Sequence, residues 1–259
     1  MIYPPQLQEA SFKSTNLTLE TWTSAYAAAQ TALTAAEAAV ALIPNYLATA
    51  TNGTDNGPVA TFALIRPPGH HATTNLCGGY CYLNNVMICT SHVLRQHVEM
   101  KCVIVDVDFH HGNGVEEILY RQRSKTNWTA RCQYISLHGH PDYPYYTTHL
   151  PTPLAKNVSA LDYVEALAGR LQGVQNWCGA ETVVLVSLGL DTLHTDPIGG
   201  FAGFTSQNDY FDIGKEIGRF VRRIGARTCF ILEGGYVIEK LGECVEGVFR
   251  GYMYGLEDR

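Results

Sequence analysis

Two hydrophobic periods alternate along this chain. Residues 59–65, 102–105, 133–137, 182–188 and 228–232 are short runs rich in Val, Ile, Leu, Phe and Tyr. Each is followed by Gly, Pro or a polar residue, the pattern of a buried strand ended by a turn. Between them, apolar residues recur every three or four positions. This predicts helices over 21–43 (stopped by Pro44), 84–97, 114–121, 161–177, 209–224 and 238–254. The segment 49–58, TATNGTDNGP, is turn-rich. Strands alternating with helices of this length imply parallel βαβ units. Ligands of such sheets bind outside the carboxyl ends of the strands. Five strand ends carry polar, Gly-containing or His-containing segments, at 66–71, 106–114, 138–141, 189–191 and 233–236. In one parallel sheet all five gather on one edge, so the expectation is a single site on an undivided domain.

Composition narrows the class. The 259 residues are 46% hydrophobic and 16% charged, enough to bury a core and incompatible with a disordered chain. A formal charge of −6 argues against binding nucleic acid or an anionic membrane. No apolar run reaches membrane-span length, and the N-terminus lacks a basic flank followed by an apolar stretch. The eight cysteines form no CxxC pair, and are expected to be reduced thiols of an intracellular protein, in cytoplasm or nucleus. The sequons at Asn16, Asn52, Asn127 and Asn157 are then chance matches.

The chemistry concentrates where the apolar run 102–105 meets Asp106-Val-Asp108-Phe-His110, followed by His111-Gly-Asn113-Gly. Side chains two apart on a strand share a face, so Asp106, Asp108 and His110 are expected to point one way. Three such groups on a buried strand need a cation or strong hydrogen bonds. A catalytic zinc takes three protein ligands and keeps one position open. Asp108, His110 and Asp191 supply an Asp-His-Asp set. His111, His92, His97, His138, His140 and His194 are expected to be packing, surface or loop residues.

In order along the chain stand RPPGHHA, GGYCYLNN, DVDFHHGNG, ISLHG, GLDTLHTDPIGG and LEGGY. In this order they resemble the histone deacetylase superfamily, from about residue 19 to 254. HGHPDYPYY and the C-terminal LEGGYVIEKLGECVEGVFRG are most similar to its acetylpolyamine amidohydrolases and class II-like deacetylases. The resemblance implies an arginase/deacetylase α/β fold, a mostly parallel sheet of eight strands flanked by helices on both faces. It implies one zinc per chain on Asp108, His110 and Asp191. The tandem histidines fall on His70, backed by Asp106, and on His71, backed by Asn113 where some members carry Asp. The transition-state tyrosine falls on Tyr236. A structural potassium is implied at Asp106, Asp108, His110, Ser136 and Leu137. A substrate tunnel is implied at Gly79, Tyr80, Tyr146 (with Tyr145 as its alternative) and Ile198, the last standing where one polyamine-selective branch carries an acidic residue.

The activity so implied is zinc-dependent removal of acetyl from an acylated amine. His71 acts as general base and then acid, and Tyr236 stabilises the oxyanion. N6-acetyl-lysine in proteins, histones included, and acetylpolyamines stand as alternative substrates. Hydroxamates are the expected inhibitors, and no oligomeric state is fixed. Family members usually carry more sequence before the first helix, so the expectation is a single catalytic domain over 1–259 that lacks the usual N-terminal portion. Two other readings compete: a catalytically impaired binding module that keeps the fold, and a binuclear manganese ureohydrolase. The latter needs more bridging aspartates than Asp106, Asp108 and Asp191 provide.

Overall fold

A computed structural model describes residues 17–42, 60–124, 127–139 and 153–258. Tyr145, Tyr146 and His140 lie outside them. The elements are α1 (Thr21–Ala41), β1 (Thr61–Ala63), α2 (Asn85–Gln96), β2 (Lys101–Asp106), α3 (Asn113–Gln122), a 3-10 turn (Trp128–Arg131), β3 (Cys132–Ser136), α4 (Ala160–Gln175), β4 (Thr182–Leu188), α5 (Gln207–Ile224), β5 (Arg227–Leu232) and α6 (Ile238–Glu257).

The strands form one parallel sheet in the order β1-β5-β4-β2-β3. Among the described residues it has five strands rather than eight, matching the five apolar runs of the sequence. β4 is buried along its whole length, as a strand covered on both faces must be. Along β5 the alternation is visible. Thr228 and Phe230 meet α6, where the Tyr252 hydroxyl donates to Thr228 Oγ1 at 2.8 Å and the Phe230 and Tyr252 rings lie 5.3 Å apart. Cys229, between them, faces Cys89 of α2. Helices therefore cover both faces. No disulfide joins any of the eight cysteines. Among the described residues, no helix is long and apolar enough to cross a membrane.

Small residues set two of the helix contacts. α1 buries Ala25, Ala28, Ala29, Ala32, Ala36 and Ala39, a stripe at helical spacing. α5 and α6 interlock more tightly. A Cβ added at Gly251 would overlap the Phe211 carbonyl, and one at Gly214 would overlap the Val248 carbonyl. Backbone meets backbone there, so no side chain can move aside. Gly251→Ala is expected to destabilise by about 1–3 kcal/mol or more, the range of overpacked cores. This corresponds to a melting temperature lower by roughly 2–12 °C. Gly242→Ala on the same helix, where nothing lies within 4 Å of the added carbon, is the matched control and should melt like the parent.

Candidate metal centre

All five strands being parallel, their carboxyl ends meet on one edge. Asp106 is the last residue of β2, Ser136 of β3 and Leu188 of β4. The β2 strand does not itself aim Asp108 and His110. The strand register ends at Asp106, and Val107 N–H makes a last bond to the Ser187 carbonyl at 3.0 Å. Past that point each aspartate accepts from the backbone two residues on: Asp108 N–H donates to Asp106 Oδ1 at 3.2 Å, and His110 N–H to Asp108 Oδ1 at 2.8 Å. Two successive turns held by Asp side chains carry the chain off the sheet. These turns, rather than strand alternation, aim the groups beyond Asp106. Asp106 and Asp108 both face the His70 ring, with Nδ1 3.1 Å from Asp106 Oδ2 and Nε2 3.7 Å from Asp108 Oδ1, and Asp108 and His110 also join Asp191.

Asp108, His110 and Asp191 form a group whose ligand-type atoms lie within 4.8 Å of one another. His110 Nδ1 is 2.7 Å from Asp191 Oδ2 and 3.4 Å from Asp108 Oδ1. Both carboxylates are anchored behind: Phe109 N–H donates to Asp191 Oδ1 at 2.9 Å, and Gly234 N–H to Asp108 Oδ2 at 2.8 Å. Asp108 is 1% and Asp191 0% exposed. Two buried carboxylates around one ring nitrogen require a positive charge between them. The protonation tendencies say the same. Burial, with the charge of Asp108 added, pushes Asp191 up to about 7. Burial opposes ionisation of Asp108, yet the charge of His70 and the bond from His110 hold it well below the usual carboxylate range. Burial likewise opposes a charge on His110, but its bonds to Asp108 and Asp191 lift it to about 10. This mixed nitrogen and oxygen set fits a borderline dication such as zinc.

The two histidines differ in their partners. His70 Nδ1 lies 3.1 Å from Asp106 Oδ2, which also accepts from the Tyr134 hydroxyl at 3.0 Å. Its pKa is raised, burial notwithstanding, by the charges of Asp108 and Asp106. His71 Nδ1 lies 2.7 Å from Asn113 Oδ1, a neutral partner. Burial, then the charges of His70 and His110, lower its pKa. The two rings are 4.1 Å apart, and His71 is 6.0 Å from the His110 ring.

Tyr236 follows Gly234 and Gly235 at the end of β5, and its ring lies 5.8 Å from that of Tyr80. Burial holds its phenol protonated well above the usual range. Tyr80 is 43% exposed and sits at φ 63° beside Gly79 at φ 53°. Gly78 and Cys81 exchange both backbone bonds around them, which defines a two-residue hairpin with both central residues left-handed. The Gly79 carbonyl accepts from the Cys81 thiol at 3.3 Å. Ile198 is also 43% exposed. Ser136 and Leu137 are buried beside Asp106; Leu137 N–H donates to the Asp106 carbonyl at 2.9 Å. The Ser136 hydroxyl pairs with His138 Nδ1 at 2.8 Å, and its carbonyl accepts from Arg170. His111 is a packing residue, 0% exposed, with Nε2 2.9 Å from Glu116.

Four supporting residues escaped sequence reasoning. Glu233, 0% exposed and raised to about 7 by burial, accepts from Gly69 N–H at 2.7 Å and His70 N–H at 3.1 Å. It pins the histidine loop to β5. Arg66 donates to the carbonyls of Glu233 and Gly235. Tyr134 orients Asp106, and Asp196 receives the Tyr236 N–H at 2.8 Å. A lone acid after the apolar run of β5 was the one visible signal, for Glu233.

The chain is similar to several known proteins. The family described as Histone deacetylase domain matches residues 4–252. Acetylpolyamine amidohydrolase 1 of Pseudomonas aeruginosa is 34% identical over 251 residues, covering 91% of this chain and 64% of that protein. Histone deacetylase 14, chloroplastic, of Arabidopsis thaliana is 32% identical, covering 86% of this chain and 53% of that protein. This chain therefore spans less than two thirds of the length of either relative. The crystal structure of acetylpolyamine aminohydrolase from Burkholderia pseudomallei superposes with a TM-score of 0.75 at 29% identity, over 93% of this chain and 66% of that one.

Proposed function

Since the chain belongs to the histone deacetylase family, we propose that it is a zinc-dependent amidohydrolase that removes acetyl groups from acylated amines and releases acetate. The observation that carries this reading is the convergence of Asp108, His110 and Asp191, with the His71 ring 6.0 Å from that of His110. Zinc held by those three residues would supply Lewis acidity to the acyl carbonyl and to the attacking water.

The chain's own groups divide the remaining work. Asn113 offers an amide oxygen to His71 Nδ1, so that nitrogen carries the proton and Nε2 keeps its lone pair. His71 then takes a proton from water at Nε2 and returns it to the leaving amine. His70, donating Nδ1–H to Asp106, keeps a fixed orientation and adds positive potential beside the reacting carbonyl. The Tyr236 phenol, kept protonated by burial, donates to the oxygen that gains charge. Tyr80 offers an aromatic wall to a linear alkyl chain at the mouth, with Ile198 beside the same opening and Gly79 shaping the turn. Potassium on Asp106, Asp108, His110, Ser136 and Leu137 belongs to the same reading. It draws support from the pairing of Asp106 with Ser136 across adjacent strand tips, although Arg170 competes for the Ser136 carbonyl. The domain acts as one catalytic unit, and its free thiols suit an intracellular setting in cytoplasm or nucleus.

Acetylpolyamine and N6-acetyl-lysine both present an acetamide on a linear alkyl amine, and both fit an aromatic-walled entrance. The deciding experiment is a side-by-side assay of the purified, zinc-loaded protein on acetylated polyamines and acetyl-lysine peptides, following free acetate. Release from at least one class is expected, blocked by a hydroxamate. Hydroxamate binding without acetate from either class would replace this reading with that of a binding module.

A further inference from the structure

The segment after the ligand Asp191 returns to the site through one buried carboxylate. Asp196 is 7% exposed, and its two oxygens serve different parts of the molecule. Oδ2 accepts the Tyr236 N–H at 2.8 Å. Oδ1 accepts the N–H groups of Ile198 at 3.0 Å and Gly199 at 3.1 Å.

Tyr236 needs such a tether. It follows Gly235, at φ 119°, and that position leaves the backbone many alternatives. Arg66 holds the turn from the other side, through the carbonyls of Glu233 and Gly235, with its guanidinium carbon 5.7 Å from the centre of the Tyr236 ring. Arg66 thus fixes the approach to Tyr236, and Asp196 fixes the residue's own N–H. The same carboxylate fixes Ile198, which is 43% exposed and which the proposed function assigns to the entrance.

We propose that Asp196 is a positioning residue that locks the Tyr236 phenol in register with the entrance segment Ile198–Gly199, through the three backbone N–H groups its carboxylate accepts. The proposal rests on the reading of Tyr236 as the oxyanion donor. Misplacement of a reacting group by about 1 Å can lower a rate by about 10², so a tether of this kind acts on turnover more than on binding.

Asp196→Asn separates the two duties. An amide has one oxygen and one NH₂ group. With the oxygen kept toward Ile198 and Gly199, the NH₂ faces the Tyr236 N–H, donor against donor. The entrance segment stays anchored while Tyr236 is released. The test measures deacetylation by the wild type, Asp196→Asn, Tyr236→Phe and the double variant, together with amide hydrogen exchange. Asp196→Asn is expected to lower kcat by about 10–10² with KM changed less than about twofold, and to add less than about twofold to Tyr236→Phe, because a lost phenol cannot be misplaced. Exchange at the Tyr236 amide should accelerate by about tenfold or more while Ile198 and Gly199 stay protected. Equal fold losses in both backgrounds, or an unchanged Tyr236 amide, would overturn the proposal. A wild type without activity would end the functional reading by itself, and the exchange measurement would still decide whether the tether exists.

Discussion

Tyr236→Phe is expected to reduce turnover on an acetylated amine by about 10²–10³, the usual effect of removing one oxyanion donor, with one zinc per chain still bound. The substitution deletes one oxygen and keeps the ring. That ring is held against Tyr80, at 5.8 Å, and below Arg66, at 5.7 Å, so its place should not change. The phenol carries no negative charge at working pH, because burial lifts its pKa, and it therefore enters the reaction as a donor. Steady-state kinetics with metal analysis on the same preparation gives the answer. A variant that turns over like the parent would take the phenol out of the chemistry. One that lost zinc would instead assign Tyr236 to holding the site together.

The second large effect is expected from a single added methyl group. A Cβ at Gly189, at the end of β4, would lie 2.5 Å from the Asp108 Cβ and closer still to its backbone. No rotamer of Asp108 relieves that overlap, so the turn bearing Asp108 must shift. Disturbing even the outer partners of a metal ligand costs about 10–100-fold in affinity. Gly189→Ala, which displaces a ligand itself, should lose at least that much zinc affinity and most activity with it. Competition against a chromophoric chelator measures the affinity, and far-UV circular dichroism checks that the sheet persists. Folded Gly189→Ala protein that binds zinc as tightly as the parent would detach Asp108 from metal binding.

These two cases mark what the sequence could disclose. The five strands were legible because each is a compact apolar run ended by polar or Gly-rich residues, and because parallel strands leave no choice about which edge their ends share. Extent was less legible: the run 59–65 yields a described strand of only Thr61–Ala63. The residues gathered at the site were legible from their order along the chain. How they are aimed was not. Alternation placed Asp106 beside Asp108 and His110, whereas the strand ends at Asp106 and side-chain turns take over. Glu233 and Asp196 stayed hidden for a different reason. Each works by accepting backbone N–H groups supplied by another part of the chain, Gly69 and His70 for one and Tyr236 for the other. Such pairings have no local signature. Tyr146 falls outside the described residues, so the far wall of the entrance rests on the sequence alone.

The interlocked glycines of α5 and α6 bear on how the protein is made. β5 and Tyr236 lie between those two helices in the chain, and α5 presents bare backbone until α6 covers it. During synthesis the earlier strands can collapse on their own helices. The segment that bears Tyr236 is made before residues 238–257, the helix that covers the glycine face of α5. A nascent chain stalled before that point would already hold Asp108, His110 and Asp191 while the glycine face of α5 still lacked its cover.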